Sequence, residues 1–103
     1  MYTQRTLIHT INKYRNEGYN AEFTFKNDLL VLPDERQNYR ADQVTIIEEE
    51  RFEGMTNPGD ASIFFALETR DGHKGYITTG YGPTANDDLI NFLAEAKTSP
   101  QLN

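Results

Sequence analysis

The chain has 103 residues, no cysteine, and a formal net charge of −6 from ten basic and sixteen acidic side chains. That length suits one core, the missing thiols exclude disulfides, thiolate zinc sites and a cysteine nucleophile, and basic residues scattered from Arg5 to Lys97 leave no positive footprint for nucleic acid or an anionic membrane. The longest apolar run, Ile63 to Leu67, has five residues where a spanning helix needs about 20, and no basic segment leads into an apolar one at the start, so a cytoplasmic location is expected.

In chain order, Thr3 to Glu17 places Leu7, Ile8, Ile11 and Tyr14 at helical spacing, and Gly18 suits a left-handed C-cap. Glu22 to Lys26 alternates polar and apolar, Asn27-Asp28 supplies a two-residue turn, and Leu29 to Leu32 runs apolar up to Pro33, which predicts a β-hairpin. Pro33 to Gln43 reads as a polar surface loop with one helical turn near Tyr39 to Gln43. Val44 to Glu53 reads as a long strand, broken by the turn formers of Gly54 to Asp60; Ala61 to Thr69 and Lys74 to Tyr81 then make a hairpin around Asp71-Gly72. Thr84 or Asn86 can cap a last helix whose buried stripe is Leu89, Phe92, Leu93 and Ala96. The tail from Thr98 to Asn103 is expected to fray.

The order α-β-β-β-β-β-α predicts one α+β domain over residues 1–97: an antiparallel sheet of about five strands with both terminal helices packed on one face. Ile63 to Leu67 is apolar on both parities, which marks a central strand. With the helices assigned to one face, Phe64 and Ala66 on the other want cover, and a homodimer packed sheet face to sheet face would supply it. The plainer alternative is a lone apolar pair on a half-wet sheet.

Few residues carry chemistry. Glu48 and Glu50 fall on one face of a strand, about 7 Å apart, with Glu49 on the other. Paired carboxylates can work on a glycosidic bond, but any i, i+2 strand pair has this spacing, and charges on a strand also discourage aberrant pairing. His9 and His73 lack the H-x-x-x-H spacing of a metal site and have no recognisable nucleophile partner. The glycine-containing turns lack the patterns that cradle phosphate. No catalytic residue, metal or cofactor is therefore expected. The most concrete recognition candidate is the loop from Arg51 to Asp60, where Arg51, Glu53, Asn57 and Asp60 offer a donor fork and several acceptors. His73, on the Asp71 to Lys74 turn, and Tyr81, closing the last strand, complete the expected recognition edge.

Arg51-Phe52-Glu53-Gly54-Met55-Thr56-Asn57-Pro58, followed by Asp60, Ser62-Ile63, Asp71-Gly72, Lys74-Gly75 and Tyr81-Gly82, resembles a family of small bacterial proteins of about this length that are commonly labelled phosphoribosylpyrophosphate synthetase. The likeness runs from the Leu7 helix to Tyr81-Gly82. The label implies pyrophosphoryl transfer from ATP to ribose 5-phosphate, chemistry carried out by much longer chains of two doubly wound domains. A pentose-phosphate site wants an apolar strand ending in paired carboxylates, then a loop wrapping the phosphate at a helix N-terminus. Val44 to Glu49 mimics the strand, but Glu50 to Thr56 continues it without a phosphate loop, so the label reads as a misannotation. The sequence points instead to a binding or interaction module; the rival is a small enzyme for a phosphorylated or sugar-like metabolite, with Glu48, Glu50 or Glu53 as acid or base and Arg51 holding an anion.

Overall fold

A computed structural model describes residues 7–33, 36–52, 62–80 and 86–99. In chain order the elements are α1 (Leu7–Asn16), β1 (Ala21–Glu22), β2 (Thr24–Lys26), β3 (Leu29–Leu32), β4 (Gln37–Tyr39), a 3-10 turn (Ala41–Gln43), β5 (Val44–Phe52), β6 (Ser62–Thr69), β7 (Lys74–Gly80), α2 (Asp87–Ala94) and β8 (Lys97–Thr98). The α+β class is as expected; the single antiparallel sheet is not.

The strands form two sheets, one of five strands in the order β1-β7-β6-β5-β8 and one of three in the order β2-β3-β4. The β5-β6-β7 meander is antiparallel as expected, but both edges are parallel: Ala21 and Glu22 pair with Gly75 and Tyr76, and Lys97 and Thr98 with Thr45 and Ile46. Each edge strand is only two residues long, too short for an alternation pattern to show it. The expected surface loop likewise hides β4, a polar strand that buries only Tyr39 and sets it opposite Leu30.

β6 is central, as its two-sided apolar pattern demands. Ile63, Phe65 and Leu67 face a core shared with α2 and the three-stranded sheet, while Phe64 and Ala66 face a second core under α1. The helices therefore lie on opposite faces of the five-stranded sheet, not on one. Tyr14 of α1 sets its ring 5.1 Å from Phe64, and Phe64 and Ala66 are fully buried within the single chain. The cover for that face is α1, so these two side chains are not available as a dimer surface. α1 turns Thr10 and Tyr14 inward, whereas Ile8, placed by its spacing on the apolar stripe, is 71% exposed. The turn that follows the helix closes at Gly18, whose φ of 104° is one that side chains rarely adopt.

A bulge at Ile47 reverses which alternate residues of β5 face α1. Val44 and Ile46 face α2, and after the register shift between Ile46 and Glu48 it is Glu48, Glu50 and Phe52 that pair with Ala66, Phe64 and Ser62 on the α1 face. Glu49 and Arg51, opposite Phe65 and Ile63, point the other way. Among the described residues no helix is long and apolar enough to cross a membrane.

Candidate functional site

Of the six residues expected to form a recognition edge, Glu53, Asn57, Asp60 and Tyr81 lie outside the described residues. Arg51 and His73 are described, and the topology separates them. Arg51 pairs with Ile63 near the start of β6, whereas His73 accepts the Thr69 N–H at the far end of that strand, about 20 Å away at the rise of a strand. Arg51 and the Asp71 turn are thus at opposite ends of β6. Arg51 also leaves the sheet on the face opposite Glu48 and Glu50, which splits two of the three carboxylates of the enzymatic reading from its anion holder.

The Asp71 turn is a structural clasp. Its carboxylate accepts from the Tyr39 hydroxyl at 2.9 Å and 3.1 Å and from the Thr69 hydroxyl at 2.5 Å. Thr69 Oγ1 in turn accepts the His73 N–H at 3.0 Å, and the Arg70 N–H donates to the Gln43 carbonyl at 2.8 Å. The hairpin tip is so tied to β4 and the 3-10 turn. The Thr69 hydroxyl first, then the Tyr39 hydroxyl and the His73 charge, hold the Asp71 carboxyl below the ordinary carboxylate range. A depressed carboxyl contributes stability above its unfolded value, near 4, and loses it as pH falls through the folded value. Tyr39→Phe is therefore expected to cost about 1 kcal/mol at neutral pH, and less at pH 3 than at pH 7. Urea denaturation at the two pH values checks this; an equal loss at both would show that the bond to the carboxylate is not the source.

The residues best arranged to receive a ligand are elsewhere. A cleft of about 560 Å³ opens between the β2-β3 turn, the Arg40-Ala41 segment and α2, within the usual range for small-molecule sites. Its apolar side comes from Phe25, Leu29, Ala41 and Phe92, and its polar side from Asn27, Asp28, Arg40, Asp88, Asn91 and Glu95. Phe25 and Phe92 meet edge to face with centroids 5.3 Å apart, a favoured aromatic geometry.

Local chemistry explains why these groups converge. Asn27 and Asp28 both have positive φ, 54° and 62°, as a two-residue hairpin turn requires and as these residue types tolerate. They stand at the lip of the cleft because β2 and β3 pair in register from Thr24–Val31 to Lys26–Leu29. The other wall is fixed by Asn86, whose side chain accepts the Leu89 N–H at 3.2 Å while its own N–H donates to Thr79 Oγ1 at 3.0 Å. This caps α2 and pins its start to β7. Asp88, Asn91, Phe92 and Glu95 then share one face by their i, i+3, i+4, i+7 spacing.

Sequence reasoning read each of these residues correctly in its local role, Phe25 as strand, Asn27-Asp28 as turn and Phe92 as buried stripe, and missed that they meet. No local pattern reports a contact between the first hairpin and the last helix. His73 borders a different depression, of about 440 Å³, with Asn20 and Lys74. Lys74 sits 5.5 Å from the centre of the Tyr19 ring, and burial, then Glu68 and Glu17, push the Tyr19 hydroxyl above its ordinary value. Among the described residues no group of three or more His, Cys, Asp or Glu could hold a metal ion.

No family model, no curated protein and no solved structure matches this chain.

Proposed function

We propose that the chain is a non-catalytic binding module whose ligand seats in the cleft between the β2-β3 turn and α2. The observation that carries this reading is the pairing of an aromatic floor, Phe25 against Phe92, with a polar rim on a concave surface, the combination by which small-molecule sites gain affinity and orientation together. The walls are built on paired strands and a capped helix rather than on free loops, so the geometry is preorganised.

The enzymatic alternative is less well supported. Two of its three candidate carboxylates, Glu48 and Glu50, emerge on the face of β5 opposite Arg51, out of hydrogen-bond reach of a substrate held there, and Glu53 lies outside the described residues. The pyrophosphoryl transfer suggested by the resemblance wants a strand, a phosphate loop and a helix N-terminus in succession, whereas the next element described after β5 is its antiparallel partner β6.

Asn91 lines the cleft and is exposed, so filling the space from that position should leave the fold alone. Asn91→Trp is expected to change stability by no more than about 0.5 kcal/mol and to weaken at least tenfold the binding of aromatic fragments selected on the unmodified protein by calorimetry. Fragment affinity unchanged in that variant would place the binding surface elsewhere.

A further inference from the structure

Three carboxylates, Asp28, Asp88 and Glu95, stand around the Phe25–Phe92 floor, against a single guanidinium, that of Arg40. Arg40 is already engaged, its Nε lying 3.3 Å from Asp42 Oδ1, so its charge is partly offset. The cleft is negative around an apolar centre, on a chain whose formal charge is −6. The arrangement is also graded along α2. Asp88 and Glu95 are seven residues apart, about 10 Å along the helix axis, with Phe92 between them on the same face.

We infer that the ligand of this cleft is an organic cation: an amine carried on an aromatic or extended apolar body. This rests on the reading of the cleft as the binding site and adds the ligand's chemistry to it. The body packs on the partly exposed Phe25, itself edge to face with the buried Phe92, where an aromatic ring finds a favoured partner and a cation finds the negative face of a ring. The ammonium group, which has three donors and no acceptor, lies beside Asp88 or Glu95, whose oxygens only accept. An anion of the same shape meets three like charges at the rim, and a neutral analogue, even an alcohol with an O–H to donate, brings no charge to strengthen the bond. Repulsion of the wrong charge is as much a part of such selectivity as attraction of the right one.

A matched series tests this: 2-phenylethylamine, 2-phenylethanol and 3-phenylpropionate share one phenylethyl body and differ in charge. Titrated into the intact chain and followed by amide chemical shifts, the amine is expected to bind at least tenfold more tightly than the carboxylate, with shifts centred on Phe25, Asn91 and Phe92. Its advantage should shrink as salt is raised. The double variant D88N/E95Q should bring the amine down to the affinity of the alcohol, and Asn91→Trp should abolish binding of all three. If the alcohol or the carboxylate binds as well as the amine at these residues, the assignment to cations is overturned while the binding site stands. Amine binding that persists in Asn91→Trp marks diffuse attraction to an acidic surface and also overturns it. If none of the three perturbs the cleft, the cation assignment and the binding-site reading fall together.

Discussion

Phe64→Ala is expected to lower stability by about 3–5 kcal/mol, the usual cost of removing a fully buried phenyl ring. The ring has no exposed surface, lies 5.1 Å from Tyr14 and stacks at 5.9 Å on Tyr76. Truncation would hollow out the core that holds α1 to the sheet. A domain of this size has about 5–15 kcal/mol in all, so the variant should stand near the limit of folding. Urea denaturation at two protein concentrations tests the claim and its cause together. If α1 is the cover, the midpoint is independent of concentration and the loss appears at both. A midpoint that rises with concentration in the parent chain and ceases to do so in the variant would put Phe64 at a contact between copies instead.

Gly75→Val is expected to cost about 3 kcal/mol, at the upper end of the range for overpacking. β1 runs so close to β7 that a Cβ added at Gly75 would overlap the Ala21 carbonyl oxygen and stand 2.7 Å from both its carbonyl carbon and its Cβ. The obstacle is backbone, which cannot swing aside as a long side chain would. The parallel pair of Ala21 with Gly75 and Glu22 with Tyr76 must therefore separate, and the Phe23 N–H would lose its bond to the Tyr76 carbonyl. Phe23 is buried in the core that also backs the cleft, so the damage would spread beyond the edge. Loss of amide-exchange protection at Phe23, together with the fall in stability, would confirm this; a variant within about 0.5 kcal/mol of the parent would show that β1 is not held where the geometry puts it.

What the sequence disclosed and what it hid divide along chain distance. The first hairpin follows from Asn27-Asp28 between apolar runs, the meander from Asp71-Gly72, and the central position of β6 from Phe64 and Ala66 interleaved with Ile63, Phe65 and Leu67. All of these are local signals with a fixed period. The helices' placement on opposite faces was implicit in that same two-sided pattern. The expectation of both helices on one face leaves Phe64 and Ala66 to a second copy, whereas α1 covers them within the chain. The separation into two sheets, the parallel edges and the convergence of Phe25, Asp28, Asp88 and Phe92 depend on long-range docking, which leaves no periodic trace in a single chain. Arg51 and His73 illustrate the converse: two residues expected on one recognition edge stand level with opposite ends of an eight-residue strand.

The central claim, that the cleft against α2 is where this chain binds, is tested most directly by mapping amide chemical shifts while a library of small aromatic fragments is titrated in. The predicted result is a set of perturbations confined to the β2-β3 turn from Phe25 to Leu29, to Arg40 and Ala41, and to α2 from Asp88 to Glu95. Perturbations that cluster instead around Arg51, or on the Asn20, His73 and Lys74 depression, with the α2 face silent, would contradict it.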